Sequence, residues 1–425
     1  MTQESAETQD SGQNSEQDSE QDSEELIAYK LLTPQEKRER LKELAIVFLR
    51  LGTIAFGGPA AHIAMIDQEV VSNRRWMSRA RLLDLLGITN LIPGPNSTEL
   101  AIHIGYERAG WQGLLIAGSA FILPAMLIVW GLAIVYDRYQ TLPQMGWLLY
   151  GIKPVILAII IQALGKLGKK AAKDVPTTMA GIVAVIGYLA GVDEILLLIL
   201  LGIAVMVIKN WQTPKPTTGI FLFPISSIFA QLGHPLANSG LNTGLNTGVV
   251  AASWSAIFLA FLKIGFVLYG GGYVLLAFLQ KEFVERNQWL TSQQLLDAVA
   301  IGQITPGPLF TTATFIGYLL AGNAGAIAGT AGIFLPSFLL VLLVNPWVDK
   351  LRQSPWTSGL LDGVNAASLG LMAGVLFTLA QAALVDWQTI VIAGLSLVVV
   401  FRFSINSAWL VLAGGAIGFA LNLLP

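Results

Sequence analysis

Arg50-Leu-Gly-Thr-Ile-Ala-Phe-Gly-Gly58 and Lys263-Ile-Gly-Phe-Val-Leu-Tyr-Gly-Gly271 share one pattern of cation, glycine and aromatic residue, and they lie 213 residues apart. The stretches Pro93-Gly94-Pro95 and Pro306-Gly307-Pro308 repeat at the same spacing. Further matches at this offset are Glu69 with Glu282, Trp76 with Trp289, and Asp84 with Asp297. Self-similarity at one fixed long period means that one structural unit occurs twice. The chain is therefore predicted to hold two copies of one unit.

The composition predicts the class of that unit. The chain has 425 residues, of which 54% are hydrophobic and 12% are charged, whereas a soluble domain carries roughly 25% charged residues. The apolar run from Trp111 to Tyr136 is long enough, at about 39 Å as a helix, to cross a hydrocarbon core of about 30 Å. No acidic or basic residue occurs between positions 298 and 348. We expect an all-α, polytopic integral membrane protein.

Four regions follow from the repeat and from the distribution of charge. Residues 1–40 form an acidic N-terminal tail and lead-in, whose first thirty residues hold nine acids and one lysine, a composition typical of disorder. Residues 41–208 form membrane repeat 1, 209–254 a polar linker, and 255–425 membrane repeat 2. Each repeat is expected to contain about five or six membrane segments, some of them broken or re-entrant.

The basic loops indicate how the two repeats are oriented. The loop after the fourth segment holds Lys169 and Lys173 in repeat 1 but Asp386 in repeat 2, and the loop after the third segment is basic only in repeat 2, at Lys350 and Arg352. Because basic loops face the cytoplasm, this exchange predicts inverted repeats. Six segments per repeat would instead give parallel repeats. Inversion then requires that 219–232 crosses the membrane, or that 179–208 is one crossing.

Helix-breaking residues interrupt the apolar segments at equivalent places in both repeats. Such interruptions are tolerated at membrane depth where they are buried in protein or line a cavity, and they mark transporter binding sites. Free N–H groups at the helix ends could bind an anion, although plain kinks and close helix packing are the alternative. The predicted substrate-binding residues at these breaks are Gly57, Gly58, Pro59, Pro93, Gly94, Pro95, Asn96, Ser97, Thr98, Gly270, Gly271, Pro306, Gly307, Pro308 and Thr311.

Matched charges form a second group of candidates. Arg50 and Lys263 are equivalent cations that could pair with an anion in the cavity, or could extend to the membrane interface.

Four residues are candidates for proton coupling: Glu69, its equivalent Glu282, His62 and Glu99. His62 lies two helical turns before Glu69, so the two could share a face. Buried Glu and His side chains can carry protons across membranes. The alternative is that Glu69 and Glu282 are surface caps beside Arg74 and Arg286.

Several function classes are disfavoured by what the sequence lacks. There is no cysteine and there are only three histidines, so neither a metal site nor a cofactor is expected, and an enzyme is disfavoured. The absence of a phosphate-binding P-loop pattern argues against ATP as the energy source. A secondary transporter of an anion is favoured, while a transporter of another solute, an ion channel and a membrane enzyme remain open.

The motifs together resemble the signature of the chromate ion transporter family, in its long two-repeat form. In repeat 1 the resemblance rests on Phe56-Gly-Gly-Pro-Ala-Ala-His62, on Glu69 with Arg75-Trp76, and on Asn90-Leu-Ile-Pro93-Gly-Pro-Asn-Ser-Thr98. In repeat 2 it rests on Gly270-Gly-Gly272, Glu282, Trp289, Pro306-Gly-Pro308 and Phe334-Leu-Pro336. Repeat 2 lacks the proline and the histidine of the first motif, so the two halves are not expected to be equivalent in mechanism.

The resemblance implies an antiporter that exports chromate, with sulfate as a related oxyanion, from the bacterial cytoplasm across the inner membrane. It further implies coupling to the proton gradient and chromate resistance. The expected partners are the oxyanion and membrane lipid, with no nucleic acid, and a homodimer is left open.

Overall fold

The computed structural model describes residues 29, 31–56, 58–211, 252–269, 272–344, 354–403 and 405–423. The predicted acidic tail and most of the linker, including 219–232, lie outside the described residues, as do Gly57, Gly270, Gly271, Lys350 and Arg352.

Within these ranges the chain forms fourteen α-helices, seven in each repeat, and no strand. Repeat 1 comprises α1 (Pro34–Ile54), α2 (Pro59–Asp67, continued by a π-helical segment Gln68–Asn73), α3 (Arg79–Thr89), α4 (Asn96–Tyr139), α5 (Pro143–Ala171), α6 (Val175–Leu189) and α7 (Glu194–Asn210). Repeat 2 comprises α8 (Trp254–Val267), α9 (Leu275–Leu279, continued by a π-helical segment Gln280–Arg286), α10 (Ser292–Ile304), α11 (Thr312–Val344), α12 (Pro355–Ala383), α13 (Trp387–Arg402) and α14 (Ser407–Leu423).

The repeat extends to the way in which helices begin. Asp174 and Asp386 are equivalent residues, and each accepts a hydrogen bond from the backbone N–H of a threonine three residues later, Thr177 or Thr389. The threonine hydroxyl bonds back to the backbone N–H of the aspartate in both cases. Such a capping box satisfies two free donors and starts α6 and α13 at equivalent places.

The long helices α4 and α11 are each folded into a tight hairpin. Gly110 and Gly322 both have a φ of +59°, which favours glycine. Gly105 and Gly113, on either side of the first turn, are so close that a Cβ on either would collide with the carbonyl oxygen of the other. Each helix therefore has a short first arm and a long second arm.

Contacts of α1 show how the first helices run. In the middle of α1, Glu43 pairs with Arg74 at the end of α2 and with Arg108 at the hairpin turn of α4, at 2.7 and 2.9 Å. Near its end, Gly52 packs directly on the Phe121 backbone in the second arm of α4. Thus α1 runs from one end of the protein into its interior, and α2 returns to the same end.

The equivalent helices α5 and α12 run in opposite directions. Tyr150, near the start of α5, donates to Asp386 just after the end of α12, at 2.6 Å. Lys173, just after α5, donates to Asp362 near the start of α12, also at 2.6 Å. The second arms of α4 and α11 are likewise antiparallel, since Trp130 bonds to Asn323 while Gly118 contacts Phe338. An inverted repeat requires this arrangement.

The two repeats are intertwined. Helices α6 and α7 of repeat 1 pack on α12 of repeat 2, and α13 and α14 of repeat 2 pack on α5 of repeat 1. Glycines allow the close approach, since a Cβ on Gly151 of α5 would collide with the Gly414 carbonyl of α14. Small residues at such interfaces are typical of membrane helices. Four helices, α4, α5, α11 and α12, are long and apolar enough to cross a membrane.

Basic residues collect at one end of the molecule, which we call the basic end. It holds the start of α1, the loop between α2 and α3, the α4 turn, and the junction of α5 with α6. The positive-inside rule assigns this end to the cytoplasm. Its cations include Lys37, Arg38, Arg40, Lys42, Arg74, Arg75, Arg79, Arg81, Arg108, Lys166, Lys169, Lys170, Lys173 and Lys209.

Helix α7 ends at the basic end, where Lys209 pairs with Asp174 at 2.6 Å. Helices α6 and α7 are therefore an antiparallel pair, and the expectation that 179–208 could be one crossing is wrong. Inversion places the start of repeat 2 at the opposite end.

Candidate functional site

The two Pro-Gly-Pro breaks meet the opposite repeat through reciprocal hydrogen bonds. The Gly94 N–H donates to the Leu268 carbonyl at 2.9 Å, and the Gly307 N–H donates to the Ala55 carbonyl at 2.8 Å. Ala55 and Leu268 follow the last residues of α1 and α8, and all four residues keep the offset of 213. The breaks thus lie on either side of the pseudo-two-fold axis. In an inverted repeat this axis lies in the membrane plane, where transporter sites occur.

Around the first break lies a group of buried polar side chains, which we call the central cluster: His62, Ser97, Thr98, Glu99 and Ser337. His62 is 2% exposed, and its Nε2 lies 3.0 Å from the Ala55 carbonyl oxygen. Because a carbonyl only accepts, this nitrogen carries the proton in the neutral ring. Nδ1 then accepts from the Ser97 hydroxyl at 3.3 Å. This pairing joins α2 to the first turn of α4.

Glu99 is the centre of this cluster and is completely buried. Its Oε1 accepts from the Ser337 hydroxyl of repeat 2 at 3.3 Å. Among the described residues, its Oε2 and the Thr98 hydroxyl have no hydrogen-bond partner. Buried polar atoms without partners are rare and call for an explanation, such as a ligand or a proton. His103 is buried one turn further along α4.

Gly94 has a specific steric role beside Glu99. Its φ is +144°, and a Cβ there would collide with Glu99 Oε1 and lie 2.5 Å from Ser337 Oγ. Glycine thus lets the backbone of the break approach the buried carboxylate directly.

The second break is chemically different, because its hydroxyls are occupied locally. Leu275 takes the position of His62, and Thr312 takes that of Glu99. Thr311 donates to the Pro308 carbonyl at 2.8 Å, and Thr312 donates to the Leu309 carbonyl at 2.7 Å. The predicted site residue Thr311 is therefore buried and bonded to its own turn.

The matched acids Glu69 and Glu282 lie in the π-helical segments, each in an ion-pair cage. Glu69 accepts from Asn73 and Arg74 at 3.0 and 2.9 Å. An equivalent cage surrounds Glu282 in repeat 2, but there the arginine comes before the asparagine. Arg286 Nη1 lies 3.6 Å and Asn287 Nδ2 3.4 Å from the Glu282 carboxylate.

The matched cations belong to these cages. Lys263 pairs directly with Glu282 at 2.8 Å, and the exposed Arg50 acts on Glu69 electrostatically. Hydrogen bonds from Arg74 and Asn73, together with their positive surroundings, hold the pKa of Glu69 below its usual range despite partial burial. These contacts are the ones expected if Glu69 and Glu282 are surface caps. A role of the two acids in proton coupling stays a prediction.

His62 and Glu69 are seven residues apart, about 10 Å along a helix, and they make different contacts, so a shared helix face stays a prediction. His62 faces the central cluster, whereas Glu69 faces Arg74 at the basic end.

Several contacts that the fold creates were not predicted from the sequence. Ser337 lies 238 positions from Glu99, and no local pattern indicates their contact. A buried ion pair between Lys153 and Asp297 was likewise missed, although a lysine inside the apolar stretch of α5 was a visible signal.

Comparison with known proteins identifies the family. The family model described as chromate transporter matches residues 42–208 and again 255–419, which confirms the internal repeat. A chromate transport protein of Cupriavidus metallidurans is 32% identical over 389 residues, covering 89% of this chain and 92% of that protein.

Two other relatives extend this similarity. A probable chromate transport protein of Synechococcus elongatus is 31% identical over 364 residues, covering 84% of this chain and 89% of its own. A chromate transport protein of Pseudomonas aeruginosa is 29% identical over 380 residues, covering 88% and 90% respectively. No solved structure is significantly similar. The repeated family match and the near-complete coverage of these relatives show that the chain belongs to the chromate transporter family.

Proposed function

We propose that this protein exports chromate and related tetrahedral oxyanions, such as sulfate, across the bacterial inner membrane in a proton-linked cycle, and thereby confers chromate resistance. The names of the relatives support the substrate class. The single observation that carries the proposal is the central cluster, where a buried helix start with unpartnered polar atoms lies beside the pseudo-two-fold axis.

The central cluster has the chemistry to bind an oxyanion. The first N–H groups of a helix have no partner within the helix, and the helix dipole is positive there. At the start of α4 these groups belong to Asn96 and Ser97, beside the unpartnered Thr98 hydroxyl. Hydroxyl and N–H donors suit a tetrahedral oxyanion, and no fixed cation is needed at this position.

Glu99 links this site to protons. A charged carboxylate next to a dianion is strongly repelled in a medium of low dielectric constant. Protonated Glu99 would instead donate a hydrogen bond through its free oxygen. Proton uptake by Glu99 and binding of the oxyanion therefore favour each other.

The membrane potential favours export. Moving one elementary charge through 100 mV corresponds to about 2.3 kcal/mol. A dianion leaving a cell that is negative inside therefore gains about twice that amount alone, and about 2.3 kcal/mol when it leaves with the Glu99 proton. The proposed transporter needs no ATP, since the potential already drives the substrate outward.

Uptake of labelled sulfate and chromate into inverted vesicles tests this proposal. The pH gradient and the potential are removed separately with ionophores. We expect each oxyanion to inhibit uptake of the other. We also expect uptake to be driven by the membrane potential and to depend on pH. Uptake of neither ion, or uptake unaffected by competition from the other, would contradict the proposed substrate class.

A further inference from the structure

A second polar centre lies outside the central cluster, at the interface of the two repeats. We call it the Lys153 centre, and it consists of Tyr136, Lys153, Gln293 and Asp297. Lys153 Nζ lies 3.1 Å from Asp297 Oδ1, and the Tyr136 hydroxyl donates to Asp297 Oδ2 at 2.8 Å. Lys153 also donates to the Gln293 amide oxygen. Two helices of repeat 1, α4 and α5, thus meet α10 of repeat 2 through this centre.

Its position lies between the pseudo-two-fold axis and the end opposite to the basic end. Asp297 is seven residues from the last residue of α10, or about 10 Å along a helix, and α10 leads into the Pro306–Pro308 break. Lys153 is ten residues inside α5, about 15 Å from its start. A solute that leaves the central cluster toward the opposite end therefore passes near this level.

The centre has no counterpart on the other side of the axis. Asp84 is the equivalent of Asp297, but Asn365 takes the place of Lys153. The cation thus occurs in only one of the two equivalent half-pathways. A requirement of the fold common to both repeats does not account for this one-sided charge.

The pair is incompletely bonded. Among the described residues, Asp297 Oδ1 receives no hydrogen bond of good geometry, although Lys153 Nζ lies 3.1 Å away and donates to Gln293. The side chain of Lys153 is 15% exposed and that of Asp297 is 6% exposed, so the lysine is the more approachable partner. Replacing a buried ion pair by apolar residues is often neutral or stabilising. Stability of the fold therefore does not require this pair, and a functional role explains it better.

Few other charges act on Asp297. Tyr136 and Lys153 are its titratable contacts, and α11 and α14, which also pack near α10, contain no acidic or basic residue. Helix α12 packs there too, and its acid Asp362 is paired with Lys173 and Lys209 at the basic end. The charged residues of the neighbouring Gln280–Arg286 segment are paired with one another, with Lys263 and with Tyr188.

We infer that Lys153 is a second binding station for the oxyanion, on the path from the central cluster to the end opposite the basic end, and that Asp297 occupies it between passages. A proton arriving from that end neutralises Asp297 and releases the Lys153 ammonium for the dianion. When the dianion leaves, Asp297 loses its proton and pairs with Lys153 again. This inference rests on the proposed function and assigns it a second site.

Four variants test the station in liposomes that contain purified protein. Lys153→Met removes the cation, and we expect sulfate exchange to fall about 100-fold, the effect of losing a strong charge-assisted contact. Lys153→Arg keeps the cation and should stay within about 5-fold of the wild type. In Asp297→Asn the amide cannot titrate, so the pH dependence of exchange should weaken to the part that Glu99 supplies. Asp84→Asn is the matched control and should keep that dependence.

The double variant Lys153→Met with Asp297→Leu separates a station from a structural latch, because it folds without an unpaired buried charge. A station predicts a folded, inactive protein. Recovery of exchange in the double variant, or unchanged pH dependence in Asp297→Asn, would overturn the inference while leaving the proposed function intact. A wild-type protein that moves neither chromate nor sulfate would overturn both.

Discussion

The two Pro-Gly-Pro breaks occupy equivalent positions but differ in what surrounds them. Both donate one backbone hydrogen bond to the opposite repeat, at 2.9 and 2.8 Å. The first is surrounded by a buried carboxylate, an imidazole and two atoms without partners, whereas the second is closed by threonines bonded to their own turn. The repeat thus supplies the frame, and the difference between its copies supplies the chemistry. A symmetric transporter would place the same donors at both breaks.

The two ends of the molecule provide the sharpest test of this comparison, because inversion gives an all-or-none result. The chain contains no cysteine, so single cysteines can be introduced without a background of native thiols. We choose Lys169, in the last turn of α5 at the basic end, and the exposed Val385 just after α12. An impermeant thiol reagent should label Lys169→Cys only from the cytoplasmic side and Val385→Cys only from the other. Labelling of both from one side would contradict inverted repeats.

Glu99 and its equivalent Thr312 compare the two breaks directly. Glu99→Gln cannot release a proton, and it leaves an amide facing Ser337, so we expect transport to fall about 100-fold, or about 2.7 kcal/mol. Thr312→Val removes a hydroxyl bonded only to its own turn and should cost less than about 1.5 kcal/mol in stability. Transport per folded protein measures both. Equal losses in the two variants would mean that the breaks are equivalent after all.

The sequence predicted this frame and named four of the five residues of the central cluster, but not the contacts between them. The matched breaks, the helical membrane fold and the exchange of basic loops are visible because Gly, Pro and Lys keep their spacing. The turn in α4 had a local signal, since Glu107 and Arg108 precede Gly110 and the apolar run begins only at Trp111. The contact of Glu99 with Ser337 depends on antiparallel packing of α4 and α11, which are far apart in the sequence, and it has no local signal.

Backbone substitutions provide a smaller effect that still distinguishes the breaks from ordinary helix positions. Gly94→Ala and Gly307→Ala each place a Cβ on a residue with positive φ, +144° and +92°, against close neighbours. Strain of this kind costs about 1–3 kcal/mol, so the melting temperature should fall and transport should fall with it. Gly146→Ala is the control, because a Cβ there meets nothing within 4 Å. A control as damaging as Gly94→Ala would show that the membrane body tolerates no added methyl group.

The smallest expected effect concerns Glu69 and Glu282, whose ion-pair partners are nearly the same in the two repeats. Because the folded state lowers the pKa of Glu69, its charged form stabilises the fold at neutral pH, and this contribution is lost as the pH falls through that lowered pKa. Glu69→Gln should therefore reduce stability by about 1 kcal/mol, the upper end for an ion pair at the protein surface, because Glu69 is partly buried. The difference from the wild type should disappear in acid.

Proton-driven transport and oxyanion exchange, measured in the same vesicles, decide whether the matched acids do more. If Glu69 and Glu282 are only partners of Arg74 and Lys263, both Gln variants should retain both activities. If they carry protons, driven transport should fail while exchange survives, and the proton link would then be shared by both repeats. The lowered pKa of Glu69 favours the first outcome, because a carboxylate held charged by a guanidinium 2.9 Å away releases a proton readily but rebinds it poorly. Retained coupling in Glu69→Gln, with coupling lost in Glu99→Gln, would place proton linkage in the one break that repeat 2 does not reproduce.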